Sequence, residues 1–244
     1  MVNHKPAIYQ YYQLLWAGLD WLYPPFCGGC EIRGRRWCLD CQARTALVPD
    51  SICIYCGIPT ASPGVCSRCH VSPPIFAACR SWAFFEGPLR NALHRLKYKR
   101  DIALGESLSK PLMEMLLQLG WQLDLITVVP LSKARQVERG YNQATLLAFP
   151  IALRLGVKYQ SKALKKIRET RSQVGLTFEQ RHANVISAFS ANREYVFGKQ
   201  VLLMDDIVTS GATINACAQA LSLAGASRVY ALTLARTPYE GIVD

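Results

Sequence analysis

Long apolar runs are missing from this chain. No stretch reaches the roughly 18 uninterrupted apolar residues that a membrane-spanning helix needs. The nearest candidate, AIYQYYQLLWAGLDWLYPPF at residues 7–26, is broken by Gln10, Gln13 and Asp20 and ends on Pro24 and Pro25. It also lacks the basic, apolar and small-residue order of an export signal. Its leucine and aromatic content suits a short amphipathic helix packed on the rest of the chain, with a membrane-surface or partner-binding role as the alternative. Acid is scarce as well: 17 Asp and Glu face 28 Lys and Arg, for a net charge of +11 in 244 residues. That balance favours anionic partners, whether phosphates, nucleic acid or acidic lipid, without choosing among them.

Cysteine is abundant, and eight of the ten fall in four Cys-x-x-Cys pairs: Cys27/Cys30, Cys38/Cys41, Cys53/Cys56 and Cys66/Cys69. With no export signal the expected compartment is the reducing cytosol, where such pairs serve as metal ligands more often than as disulfides. Seven residues separate the first two pairs and nine the last two. Each group can therefore wrap one tetrahedral Zn2+ with four thiolates. Sequential pairing is favoured by short loop closure; interleaved pairing, a single site, and redox or disulfide use stay open. Gly28, Gly29 and Gly57 are read as the residues that permit the tight knuckle turns. Histidine is scarce near the ligands, since His70 has no partner of matching spacing. This points to closed structural zinc sites, not a catalytic one. Cys79 and Cys217 stand alone and read as small buried apolar residues.

Beyond Ser72-Pro73-Pro74 the cysteine pairs stop and strand and helix patterns alternate, so the chain divides into an amphipathic segment (1–26), a double zinc-ribbon module (27–74) and a larger domain (75–244). Residues 77–87 read as an aromatic-rich strand and 88–98 as a helix with Leu89, Leu93 and Leu96 on one face. Residues 107–120 read as a helix with Pro111 near its first turn, and 123–130 as a buried strand. Residues 141–156 read as a helix that Pro150 should kink by removing the bond to Leu146. Residues 199–206, 213–225 and 227–235 complete the alternation, with Ile214, Cys217, Leu221 and Ala224 turned to the core. This predicts an α/β domain: an open, mostly parallel sheet with helices on both faces. Ligands of such sheets bind outside the carboxyl ends of the strands.

VLLMDDIVTSGAT, residues 201–213, sits at such an end. Thr209, Ser210, Gly211, Ala212 and Thr213 would converge their backbone N–H groups at a helix N-terminus and cradle a phosphate. Asp205 and Asp206 would repel a second phosphate but suit two neighbouring hydroxyls. An acidic pair alone fits a metal site, and a small-residue loop alone fits a plain helix cap. Joined in this order they describe a sugar with a phosphate at one end and a cis-diol beside it.

The same stretch resembles the 5-phosphoribosyl-1-diphosphate (PRPP) motif of the type I phosphoribosyltransferases. By that resemblance Asp205 and Asp206 hold the ribose hydroxyls as the catalytic pair, and residues 209–213 hold the 5-phosphate. VVPLSKARQVERGYNQA (128–144), KKIRETRSQVGLTFEQRHANVISAF (165–189) and HRLKYKRD (94–101), behind the cysteine pairs, resemble the ComF family, which includes GntX-type proteins, over nearly the whole chain. The residues have their own logic too. Lys133, Arg135 and Arg139 follow a strand and could neutralise a diphosphate leaving group. Residues 165–181 fit a lid that closes over ligand, with Arg168, Arg171, Gln173 and Arg181 as contacts.

The resemblance implies a phosphoribosyl transfer in which Mg2+-diphosphate leaves C1 and an acceptor nitrogen, normally of a nucleobase, attacks. No acceptor pocket or general base is legible. A competing reading comes from the association of ComF relatives with DNA uptake in natural transformation. Here the chain would handle single-stranded DNA alongside DNA-uptake proteins, using Arg33, Arg35, Arg36 and Trp37, with the PRPP site regulatory or vestigial. A third is a PRPP sensor without turnover.

Overall fold

The computed structural model describes residues 6–168 and 188–238. Its centre is a five-stranded sheet built from β1 (Ala78–Phe84), β2 (Leu125–Val128), β3 (Lys158–Tyr159), β6 (Gln200–Val208) and β7 (Arg228–Arg236), in the order β1-β7-β6-β2-β3. Every pairing within it is parallel. All five carboxyl ends therefore lie along one edge. Alternation sorts the side chains: Leu202, Met204 and Leu232 enter one core, and Val201, Leu203 and Ala231 the other. Helices α4 (Gly87–Tyr98), α5 (Leu104–Leu119) and α7 (Gln143–Leu155) cover the first face, and α8 (Ala212–Leu223) covers the second. The expected α/β architecture with helices on both faces is what forms. Cys79 and Cys217 are buried in the second core, as read from their isolation.

One detail differs from expectation. Helix α5 begins at Leu104, so Pro111 lies in its interior and not near its first turn. The earlier start follows from Leu104 and Leu108, which are both fully buried and extend the apolar face one turn upstream. Pro150 is inside α7 as expected. Its missing N–H withdraws the helical partner of the Leu146 carbonyl, and Gly105 of α5 lies against that same carbonyl. A Cβ at Gly105 would stand 2.6 Å from Leu146 Cβ and 2.9 Å from Leu146 O. Gly105→Ala is therefore expected to cost about 1–3 kcal/mol by overpacking, read as a lower urea midpoint. Gly18→Ala, whose Cβ position is open, should leave the midpoint unchanged or raise it.

Helix α1 (Ala7–Leu22) packs on α7 through Tyr12 against Phe149, with ring centroids 6.1 Å apart, and buries Tyr9. Ile8, Tyr11, Leu15 and Trp21 on it remain exposed. Among the described residues no helix is long and apolar enough to cross a membrane.

The free edge of β1 is not left bare. Residues 46–48 bond to it through Phe84 N to Ala46 O (2.8 Å) and Val48 N to Trp82 O (3.1 Å). The segment joining the two cysteine groups thus seals the sheet against edge pairing.

Candidate functional site

The cysteines gather sequentially. Cys27, Cys30, Cys38 and Cys41 form one cluster, and Cys53, Cys56, Cys66 and Cys69 the other. All ten cysteines are free of disulfides. Sγ–Sγ distances of 3.6 Å (Cys30–Cys38) and 3.7 Å (Cys56–Cys66) match the roughly 3.8 Å edge of a tetrahedron with Zn–S bonds of about 2.3 Å. The donor set fits a closed structural zinc site twice over. Each cluster aims a backbone N–H at its first ligand: Cys38 N donates to Cys27 Sγ and Cys66 N to Cys53 Sγ, both at 3.4 Å. Burial pushes these thiols up, but the N–H donors outweigh it and bring Cys27 down to about 6 and Cys53 to about 7.

The knuckle turns depart from the reading of the glycines. The left-handed residue follows the second cysteine of a pair in both ribbons: Gly57 at φ 68° and Glu31 at φ 63°. Gly28 and Gly29 serve a different need, close approach. A Cβ on Gly28 would stand 2.6 Å from Leu104, and one on Gly29 would stand 2.7 Å from Cys41 Sγ. Glu31 bears the backbone strain while held by Arg95 at 3.0 Å.

At the carboxyl edge of the sheet lies a cavity of about 810 Å3. Strand β6 runs past the acidic pair to Val208, so Asp205 and Asp206 alternate across the sheet. The Asp206 N–H donates to Asp205 Oδ1 at 2.9 Å. Burial and the neighbouring Asp206 hold Asp205 well above the usual carboxylate range. Asp206 pairs with Lys97 of α4, Nζ to Oδ2 at 2.8 Å. The loop then turns on Gly211, left-handed at φ 80°, and Ala212 opens α8. Ser210 Oγ accepts from Ala212 N at 3.4 Å. Asp205, Asp206, Thr209, Gly211 and Thr213 all line the cavity, whereas Ser210 and Ala212 line a second, smaller one behind the loop.

Arg135 and Arg139 line the same large cavity; Lys133 is not in its lining. All three lie on a short helix, α6 (Lys133–Arg139), capped by Ser132, whose Oγ accepts from Arg135 N. Arg139 is fixed by Gln143 Oε1 at 2.8 Å and lies 5.2 Å from the Tyr98 ring centroid. The residues that follow Arg139 are a latch. Gly140 ends α6 in the left-handed region, Tyr141 Oη donates to Leu96 O at 2.6 Å, and Asn142 caps α7 while donating to Val129 O at 2.9 Å. Together they tie α4, β2 and α7 around the cavity.

Of the basic segment expected to act as a lid, only residues 165–168 are described. They begin in an antiparallel pair, β4 (Leu164–Lys166) with β5 (Phe189–Ala191), and Lys166 and Phe189 line the cavity. Arg168 N donates to Ala188 O at 3.4 Å, and Arg168 is not among the lining residues. Arg171, Gln173 and Arg181 lie outside the described residues.

Reading the sequence missed Lys97, together with Arg90, His94 and Tyr98, all in the cavity wall. The usable signal was their spacing. Arg90, His94 and Lys97 stand four and three apart, on the flank of α4 about 100° round from the buried Leu89, Leu93 and Leu96. The cluster around the first ribbon also needs correction. Arg33 and Arg35 are exposed, but Arg36 is bound to Asp20 and lies 5.1 Å from the Trp16 ring. Trp37 packs against the first core.

Residues 18–70 match the double zinc ribbon domain family. The chain is 35% identical over 193 residues to DNA utilization protein YhgH of Salmonella typhimurium, covering 77% of this chain and 85% of that protein. It is 28% identical over 218 residues to competence protein F of Haemophilus influenzae, covering 86% of this chain and 94% of that protein. Among solved structures it is similar to the glutamine phosphoribosylpyrophosphate amidotransferase of B. subtilis, at 26% identity and a TM-score of 0.36. That match covers 52% of this chain and 26% of the other.

Proposed function

The chain belongs to the ComF/GntX-type family, with DNA utilization protein YhgH and competence protein F among its relatives, and from that premise we propose that it binds PRPP and transfers its phosphoribosyl group to a nitrogen acceptor. One observation carries the reading. An acidic pair, the loop after it with its left-handed Gly211, and two arginines that follow another strand converge on one cavity of about 810 Å3. This volume is within the range of about 300–1,000 Å3 for small-molecule sites.

In this reading Asp205 and Asp206 accept hydrogen bonds from the ribose 2- and 3-hydroxyls. A carboxylate has about four lone-pair sites, so Asp206 can hold Lys97 and a hydroxyl together. The backbone N–H groups of residues 209–213 hold the 5-phosphate. Arg135 and Arg139 face the diphosphate; Mg2+, when bound with PRPP, neutralises the rest of its charge. The C1–O bond breaks with its electron pair going to diphosphate. The acceptor nitrogen's lone pair closes the C1–N bond, and its proton leaves with the diphosphate. The two carboxylates stabilise the positive charge that develops at C1. The test is calorimetric titration of the zinc-loaded chain with PRPP and Mg2+, followed by a diphosphate-release assay against a panel of bases. Saturable one-to-one binding is expected; no heat at millimolar PRPP would overturn the reading.

A second reading, single-stranded DNA handling, is favoured by one surface. Arg33 pairs in a bridge with Phe26, and Trp21, Tyr23 and Ile32 nearby in sequence are 82%, 77% and 62% exposed. Arginines beside exposed aromatics suit a phosphate backbone with stacked bases. Affinity for an oligodeoxythymidine should then fall steeply between low and physiological salt. A flat response would count against it.

A further inference from the structure

If phosphoribose, phosphate and diphosphate take the groups assigned above, one wall of the large cavity has no role. That wall is formed by Phe85, just past β1, and by Arg90, His94 and Tyr98 of α4. Resting on the phosphoribosyl reading, we propose that this wall is the acceptor subsite and that it takes a flat, anionic nitrogen heterocycle.

Three observations support it. The first is position. Lys97 of the same helix reaches Asp206 at 2.8 Å, so the α4 face begins at the carboxylates assigned to the ribose hydroxyls and extends away from them. The second is adjacency to the leaving-group side. Tyr98 has its ring centroid 5.2 Å from the Arg139 guanidinium and 4.8 Å from the His94 ring. Tyr98 therefore stands between the groups assigned to diphosphate and the outer part of the wall. A ligand lying on it would share the cavity with the groups assigned to PRPP, the proximity that a transfer requires.

The third observation is chemical. Phe85 and Tyr98 supply aromatic surface for a planar ring, and offset or edge-on packing of such rings is favourable. Arg90 and His94 are both exposed, one helical turn apart, and present N–H donors at the rim. Among the wall residues named there is no carboxylate to recognise an exocyclic amine. A neutral purine would leave the cationic rim without a partner, whereas a ring carboxylate or a ring oxyanion would meet a planar guanidinium fork.

The experiment uses the full zinc-loaded chain and two exposed-residue variants, Arg90→Ala and His94→Ala. Orotate and nicotinate serve as anionic probes and adenine and uracil as neutral ones, each titrated calorimetrically, with PRPP and Mg2+ titrated separately. At least one anionic probe is expected to bind wild type about tenfold or more tightly than either neutral base. Arg90→Ala should weaken that probe by about tenfold or more, as expected when a charge-assisted hydrogen bond is lost, while PRPP affinity stays close to wild type. Failure of every probe in a protein that binds PRPP overturns the subsite. So does equal binding of the neutral bases, or an Arg90→Ala variant that binds the anionic probe like wild type. Anionic-probe binding without PRPP binding would instead sink the phosphoribosyl reading while leaving the anion-selective wall standing, so the two failures are distinguishable.

Discussion

Replacing Asp205 and Asp206 together by asparagine is expected to weaken PRPP binding roughly hundredfold or more while leaving the protein folded. The magnitude follows from two hydrogen bonds to charged acceptors, each contributing about 1.5–3 kcal/mol. Asparagine keeps the shape and an acceptor oxygen, so the Asp206 N–H that now donates to Asp205 Oδ1 at 2.9 Å retains a partner. Calorimetric titration with PRPP and Mg2+ reads the affinity, and a urea melt reads the fold. An unchanged affinity would remove the acidic pair from the site.

The stability side of the same substitution has a definite sign. Burial and the charge of Asp206 raise Asp205 above the usual carboxylate range. A carboxyl whose folded value lies above its unfolded value lends stability below the unfolded value and loses it as pH rises through the folded value. At neutral pH, above the unfolded value, Asp205 is therefore a cost to the fold. Asp205→Asn alone should keep or raise the urea midpoint at neutral pH. It should also flatten the decline in stability that wild type shows as pH rises through the range where Asp205 ionises. Asp206→Asn differs, because it removes the partner of Lys97, which is 18% exposed, and should lower the midpoint.

These contrasts mark what a sequence can carry. The zinc tetrads were legible because thiolate chemistry depends on residue type and short spacing, both local. The sheet was legible because β-branched and leucine runs alternate with helical periodicity, and the burial of Leu202 and Leu203 on opposite faces follows from a period of two. Lys97 was not legible as a site residue, since its role arises where α4 meets β6, two elements far apart in the chain. Glu31 was missed for a different reason. Composition points to glycine for left-handed turns, and a glutamate occupies one here, its carboxylate paired with Arg95. Pro111 was misplaced because the apolar face of α5 starts a turn before the pattern that announced it.

The final expectation concerns the second zinc ribbon, which is joined to the sheet more closely than a separate module would be. Cys79 N of β1 donates to Tyr55 O at 2.7 Å, and Arg80 Nη2 donates to Ile54 O at 3.1 Å. Arg236, the last residue of β7 and 3% exposed, donates to Cys56 O at 3.3 Å and also to Gly57 O. Arg236 is also the register partner of Val208, directly before residues 209–213. A tetrathiolate zinc carries a net charge of about −2, and the buried guanidinium beside it offsets part of that charge. Cys53→Ser with Cys56→Ser should therefore lower the zinc content by one ion per chain, measured by metal analysis. Structural zinc in small fingers contributes about 10–16 kcal/mol to folding, so this knuckle should unfold. An uncompensated buried arginine costs about 3–5 kcal/mol, and the strand ends that position residues 209–213 should loosen with it. Ribose 5-phosphate, which in the proposed reading engages residues 209–213 and the acidic pair without the diphosphate groups, should then bind about tenfold or more weakly. Cys27→Ser with Cys30→Ser removes the other ion, whose ribbon contacts α4 through Asn91 and Arg95. That variant should retain ribose 5-phosphate affinity while disturbing the α4 wall. Equal losses in both variants would mean that the ribbons act on global stability only, and that the contact between Arg236 and the second knuckle does not reach the loop.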